Sequence, residues 1–293
     1  MAGLDVELVL HSDAVLGEGP VWDDRTGRLW WVDIVRGVAH RFDPATGRDD
    51  QFVVGHAVSA VFLTESEDPL LAVSDGIASL DTYTGDVERV VPIEPNDPLM
   101  RLNDAKVGPD GALWVGTMAV DERPGAGSLM RVDPDRSTTT LLANLTVPNG
   151  LDWPDDGGFV FVDSPTRRID RFDVGPDGAL LGRGLMADLA SVDGVPDGMT
   201  LDVEGHLWVG MWNGWCLVRV SPEGQIVTRV RVPVARVTSC TFGGPGLDEL
   251  YITTAARDLS PTEKTAQPDA GSVFRYRPGV AGLPARRFPG WAR

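Results

Sequence analysis

One pattern recurs six times along the 293 residues and leaves few folds open. It is a small or polar residue, a short apolar strand, a turn carrying Asp or Gly, and a second apolar strand. It begins as GEGPVWDDRTGRLWWVDI at Gly17 and returns as SAVFLTESEDPLLAVSDG at Ser59. It continues as NDAKVGPDGALWVGTM at Asn103 and NGLDWPDDGGFVFVDS at Asn149. The last copies are DGMTLDVEGHLWVGMWNG at Asp197 and SCTFGGPGLDELYITTA at Ser239. Aligned on Glu18, Ser59, Asn103, Asn149, Asp197 and Ser239, successive copies are 41, 44, 46, 48 and 42 residues apart. That period suits one four-stranded blade of a β-propeller.

The first copy displays a whole blade. GPVWD turns at DRTGR into LWWVDI, Arg36-Gly37 turns into VAHRFDP, and Ala45-Thr46-Gly47 turns into an outer strand near DQFVV. Strand residues are β-branched, aromatic or leucine, and turns hold Asp, Gly and Pro. No segment sustains a 3.6-residue apolar period, so no helix of consequence is expected. The last copy is one strand short: after SVFRYRP little chain remains. VELVLHS at residues 6–12 has no blade of its own. The two ends therefore complete each other. The expected fold is all-β: a six-bladed β-propeller with four antiparallel strands per blade, one domain over residues 1–293, its ring closed by the N-terminal strand. An open solenoid would need distinct capping repeats, and none is visible.

Composition narrows the partners. With 26 basic and 43 acidic residues the formal charge is −17, which repels phosphate backbones and argues against nucleic acid. The N-terminus lacks a basic start followed by an apolar run, and no apolar run approaches the roughly 20 residues that span a bilayer. Cys216 and Cys240 are the only cysteines, too few for a disulfide framework or a thiolate metal site. A cytoplasmic protein with reduced, buried thiols and no membrane partner is expected.

In a propeller the innermost strands line a central channel, so the six aligned residues converge on one ring although they are far apart in the chain. Two carboxylates and two amides meeting in a confined channel need a reason, because unpaired buried carboxylates are costly. A divalent cation is one reason, and oxygen ligands suit Ca²⁺, Mg²⁺ or Mn²⁺; a hydrated polar channel without an ion is the other. Arg101 stands two residues before Asn103, on the same face of an extended segment, and is suited to a polar or anionic substrate or else to a surface ion pair. None of His11, His40, His56 and His206 falls on the ring, so a His-rich zinc site is not indicated, although His56 lies close to the expected mouth. No G-x-S-x-G element suggests a nucleophile elbow. Trp212 and Trp215, in MWNGW, are candidates for a pocket wall or for core packing.

GEGPVWD, RLNDAKVGPDGALWVGTM, PNGLDW, PDGMTLDVEGHLWV and TSCTFGG, in this order, resemble the senescence-marker-protein/gluconolactonase/luciferin-regenerating-enzyme family from about Glu18 to Tyr276. The resemblance implies a six-bladed propeller with one divalent metal ion held by Glu18, Asn149 and Asp197; Ca²⁺, Zn²⁺, Mn²⁺, Mg²⁺ and Fe²⁺ all suit such a set. It implies hydrolysis of aldonolactones, a small sugar lactone substrate, with Arg101 and Asn103 on the sugar; ordinary hydrolytic chemistry then makes Asp197, as a ligand, also the nearest general base for the attacking water. The family's substrate-binding Glu shortly after the GTM motif corresponds here to Asp121, with Glu122 beside it, a departure that bears on which sugar fits. Hydrolysis of another ester or a phosphotriester, and a calcium- or ligand-binding propeller without turnover, are the alternative functions.

Overall fold

The computed structural model describes residues 6–93, 99–175 and 178–292. After a lone strand β1 (Val6–Leu10), the chain lays down six antiparallel sheets in succession. The first is β2 (Gly17–Asp23), β3 (Arg28–Asp33), β4 (Val38–Asp43) and β5 (Arg48–Val53). The second is β6 (Val58–Phe62), β7 (Leu70–Val73), β8 (Gly76–Leu80) and β9 (Val87–Pro92). The third is β10 (Met100–Val107), β11 (Leu113–Ala119), β12 (Gly127–Val132) and β13 (Thr138–Leu145). The fourth is β14 (Pro148–Asp152), β15 (Gly158–Asp163), β16 (Arg168–Val174) and β17 (Leu180–Asp188). The fifth is β18 (Val195–Leu201), β19 (Leu207–Trp212), β20 (Cys216–Val220) and β21 (Ile226–Arg231). The sixth joins β22 (Val237–Gly243), β23 (Glu249–Thr254) and β24 (Val273–Tyr276) to β1, in the order β1-β24-β23-β22. The result is a six-bladed β-propeller.

Each blade grades from dry to wet. β6, β14 and β22 are buried along their whole length, as are the second strands β11 and β15. The outer strands β13 and β17 are mostly exposed, which is why they carry Thr, Arg and Gly rather than apolar runs. Between the blades lie shared cores: Ile77, Phe62 and Leu70 of the second pack with Leu102, Leu113 and Val115 of the third. Adjacent sheets thus bury their faces against each other, and no blade has a core of its own.

The ring closes as the count of strands requires. Val6 pairs with Tyr276, Glu7 with Arg275 and Leu8 with Phe274, and Arg275 spans Glu7 (2.7 Å) and Glu249 (3.1 Å). An open solenoid is thereby excluded. Among the described residues there is one α-helix, α1 (Pro261–Ala266), a six-residue segment opened by a Ser260–Glu263 capping box.

Residues beyond the last strand do something the repeat does not announce. Residues 281–292 run across one face of the ring, bridging Gly282 to Asp202 and Phe288 to Thr64. Arg287 meets Asp23 (2.5 Å) and Asp24 (2.6 Å), and Phe288 is fully buried against Trp291. This strap ties the first, second and fifth blades together and walls one mouth of the channel with Leu283, Pro284, Ala285 and Arg286.

Removing residues 1–12 deletes the closing strand and leaves β24 as an open edge. The truncated protein is expected to melt at least about 5 °C lower and to self-associate, as seen by calorimetry and size-exclusion chromatography. A truncated chain that stays monomeric with an unchanged melting point contradicts closure by β1.

Candidate functional site

Every inner strand breaks its ladder register at the ring position. The irregularity lies between Glu18 and Val21, Val58 and Ala60, Leu102 and Ala105, Asn149 and Leu151, Pro196 and Met199, and Val237 and Ser239. A β-bulge re-aims a side chain that regular pleating would hold flat against the neighbouring sheet. Four of the six ring residues, Glu18, Asn103, Asn149 and Asp197, line one cavity of the channel.

Three of these residues are followed by glycine, and the reason is distance. A Cβ on Gly19 would lie 2.9 Å from the Ser59 carbonyl oxygen. One on Gly150 would lie 2.7 Å from the Asp197 carbonyl oxygen, and one on Gly198 would lie 2.1 Å from the Ser239 hydroxyl. In each case the obstructing group belongs to the ring residue of the next blade. The inner strands approach too closely for any side chain after Glu18, Asn149 or Asp197. Aspartates at the ends of second strands fix the approach from behind: Asp33 accepts from the amides of Val15 (2.9 Å) and Leu16 (3.2 Å), and Asp163 from those of Thr146 (3.1 Å) and Val147 (2.8 Å).

Two cavities occupy the channel, one at each end. The first, about 310 Å³, is lined by Glu18, Arg101, Asn103, Glu122, Asn149, Ser164, Asp197, Trp212 and Arg257 among others. The second, about 340 Å³, lies under the C-terminal strap. Its carboxylate Asp152 is neutralised by Lys106 at 2.7 Å, with Arg286 at 3.5 Å. Asp104, which also lines it, accepts from the Ala105 amide (2.8 Å) and is pushed up to about 6 by burial.

In that first cavity a chain of hydrogen bonds orients the amides. Arg101 Nη1 donates to Asn103 Oδ1 (2.6 Å) and to the Leu102 carbonyl (2.9 Å). Asn103 Nδ2 donates to Asn149 Oδ1 (2.8 Å) and to the Pro148 carbonyl (2.7 Å), and Asn149 Nδ2 donates to Ser164 Oγ (2.8 Å). Asn149 therefore turns its oxygen, not its nitrogen, toward the interior, and that oxygen retains a second lone pair.

The carboxylates are less well served. Glu18 accepts from the amide of Gly19 (3.0 Å), and among the described residues no protein group donates to the Asp197 carboxylate, although Asp197 is buried. Burial, followed by the nearby Asp104 carboxylate, pushes Glu18 up to about 8. Burial and then Glu18 hold Asp197 well above the usual carboxylate range. Burial and then Arg257 bring Arg101 down to about 10. Two carboxylates and an amide oxygen that share a buried space without a cationic partner form a donor set suited to a hard divalent ion.

Ser59 and Ser239 do not line this cavity, although Ser239 borders the strapped one. Asp121 does not line this cavity. Its carboxylate is exposed and meets Arg123 at 3.1 Å, whereas Glu122 reaches the cavity. The cause is local: Glu122 adopts a left-handed backbone (φ 57°), so the chain reverses one residue after Asp121. His56 is exposed and lies against Val54, Val73 and Arg89, away from the site. Of the two tryptophans, Trp212 lines the cavity, while Trp215 does not and is 38% exposed.

Arg257 and Ser164 were not singled out from sequence. Ser164 could have been found from its place in FVFVDS, at the end of a second strand. Arg257 lies in an aperiodic loop that carries no such signal. A separate group, Asp202, Glu204 and His206, has liganding spacing. Asp202 is already taken by Trp208 Nε1 (2.9 Å), Arg219 Nε (2.8 Å) and two backbone amides, which accounts for it as a structural clamp.

Among the described residues no helix is long and apolar enough to cross a membrane. Both cysteines are buried and unpaired, and burial raises their thiols.

Comparison with known proteins places this geometry. Regucalcin of Gallus gallus is 34% identical over 99% of this chain and all of its own length. Pentonolactonase XacC of Haloferax volcanii is 34% identical over 97% of this chain and 98% of its own. The crystal structure of regucalcin from Agrobacterium tumefaciens, described as a calcium-binding protein, superposes with a TM-score of 0.90 at 30% identity, covering 98% of this chain and 97% of that one. The profile of the SMP-30/gluconolactonase/LRE-like region matches residues 16–256, and the chain belongs to that family.

Proposed function

We propose that the chain is a divalent-metal-dependent hydrolase that opens aldonolactones to sugar acids. The observation that carries this reading is the half-buried Glu18 and the buried Asp197, sharing a cavity with Asn149 and with no cationic protein group bonded to either among the described residues, beside the polar pair Arg101 and Asn103. The relatives named for pentonolactone and gluconolactone hydrolysis support the substrate class.

Glu18, Asn149 and Asp197 would hold the ion. When bound, such an ion supplies Lewis acidity and stabilises negative charge developing on the lactone carbonyl oxygen. The remaining work belongs to side chains. Asp197 takes the proton of the attacking water, a task for which a buried, electron-rich carboxylate is suited. Asn103, held by Arg101 at 2.6 Å, and Arg101 itself orient the ring hydroxyls. Glu122 takes the sugar contact expected of Asp121. Met118 and Trp212 give the cavity its apolar wall. Hydrolysis of another ester would leave the hydroxyl-orienting pair without a task.

The metal-free state carries its own signature. Glu18, at about 8 against an ordinary 4.5, binds its proton more tightly in the folded chain than in the unfolded one. Its contribution is therefore fully present below about pH 4.5 and lost as pH rises through about 8. After chelation the melting temperature should fall across that window, and Glu18→Gln should flatten that part of the slope. Added divalent cation should raise the wild-type melting point more at pH 8 than at pH 5. A metal-induced shift independent of pH counts against Glu18 as a ligand.

Asp197→Asn and Asn149→Ala separate chemistry from coordination. Asp197→Asn keeps a liganding oxygen but removes the basicity. Acid release from D-glucono-1,5-lactone should fall by at least about 10²-fold even at saturating metal. Asn149→Ala should weaken metal binding and recover part of its rate in excess metal. Full recovery of Asp197→Asn in excess metal would leave Asp197 a ligand only, and unaltered activity of the wild type after complete chelation would defeat the metal-dependent reading.

A further inference from the structure

The mouth of the site carries a second guanidinium that lactone opening does not itself require. Arg257 lines the same cavity as Glu18, Arg101, Glu122 and Asp197. It stands in the loop between β23 and α1, and that loop is held at both ends. The amide of Ala255 donates to the Arg236 carbonyl (3.0 Å) and that of Ala256 to the Ala14 carbonyl (3.1 Å). Leu259 is buried in the core between the fifth and sixth blades. Beyond α1, the buried Gln267 accepts from the amide of Ala235 at 2.6 Å. The loop is therefore a mount rather than a tether.

Arg257 is incompletely partnered on that mount. Its Nε meets Asp258 at 3.2 Å, and Asp258 is itself 74% exposed. Among the described residues no group meets its two terminal nitrogens. Arg101 is different: it is buried and already donates to Asn103 and Leu102. The two cations also repel each other, and Arg257 is near enough to weaken the basicity of Arg101. Two like charges facing one cavity are relieved by an anion that enters it.

Formal charge indicates which anion. Glu18, Asp197 and Glu122 oppose Arg101 and Arg257, so the protein groups leave the cavity one negative charge in excess. A divalent ion on the first two carboxylates reverses this to one positive charge. A neutral lactone leaves that charge unmet, a carboxylate matches it, and a phosphate dianion exceeds it. The volume, about 310 Å³, admits a ligand of monosaccharide size.

We propose that Arg257 is a specificity residue that binds a carboxylate already present on the substrate, so that the preferred substrates are sugar lactones bearing a second acid group. This rests on the lactonase reading above. Chemistry at the lactone is unchanged: water adds to the carbonyl carbon, the acyl carbon–ring oxygen bond breaks, and the ring oxygen takes up a proton. The product is a sugar dicarboxylate.

The test compares kcat/KM for D-glucono-1,5-lactone, D-glucaro-1,4-lactone and 6-phospho-D-glucono-1,5-lactone in the metal-loaded protein. The wild type should favour the carboxylate-bearing lactone. Arg257→Gln should lower kcat/KM for that lactone at least about 10-fold, mainly through KM, and for the neutral one by much less. Arg257→Lys should restore part of the loss. Independently of turnover, calorimetric titration should show that the wild type binds the monoanion D-glucuronate more tightly than neutral D-glucose and that Arg257→Gln erases the difference. Preference for the neutral or phosphorylated lactone, or equal losses for the charged and neutral substrates, overturns the proposal. No acid release from any of the three defeats the lactonase reading instead. Calorimetry then decides Arg257 alone, and equal losses for D-glucuronate and D-glucose overturn its role.

Discussion

Close approach of the inner strands around the channel is the constraint on which the rest of the molecule depends. At Gly19, Gly150 and Gly198 the next blade comes within 3 Å of where a Cβ would stand. That contact is possible only for glycine, and it draws the preceding residues, Glu18, Asn149 and Asp197, into one small volume. Local backbone geometry thereby gathers residues 179 positions apart at the extremes. A six-fold arrangement alone would place six side chains around a wide bore. Bulges and glycines narrow it until two carboxylates share an environment in which, among the described residues, neither is bonded to a protein cation.

Such an arrangement is unfavourable for the metal-free fold, and the surrounding structure compensates for it elsewhere. Shared apolar cores between blades, ladder closure by β1 and the C-terminal strap at the other mouth all act away from the cavity that holds Glu18 and Asp197. The two ends of the channel are also treated differently. At the strapped end the buried Asp152 is paired with Lys106. At the open end Asp197 has none among the described residues. Paired charges rigidify a plug, whereas an unpartnered carboxylate is available to an ion or a proton.

What was legible in the sequence follows from periodicity. The blades, the ring positions and the spare N-terminal strand were all visible because a repeat converts sequence spacing into spatial position. Features outside the repeat were not. The strap at residues 281–292 has neither a strand period nor a turn signature, and Phe288 reads like any exposed aromatic near a terminus. Asp121 and Glu122 could not be told apart, since the outcome turns on one left-handed residue that no composition rule anticipates at Glu. Arg257 was hidden in the loop ARDLSPTEKTAQPDAG, whose only local signal is the Ser260–Glu263 capping box.

That division between repeat and loop corresponds to a division of labour at the site. Glu18, Asn103, Asn149 and Asp197 stand on strands whose register is pinned by bulges and by ladder partners on the outer side. Moving any of them requires moving a blade. Glu122 and Arg257 stand on connections between strands, where a change in sequence leaves the ladders intact. On the reading proposed above, groups that perform the reaction are therefore mounted on the rigid part of the fold, and groups that choose the substrate on the part that tolerates substitution. A propeller built in this way can change the lactone it accepts by altering its loops while the ring that opens the lactone stays in place.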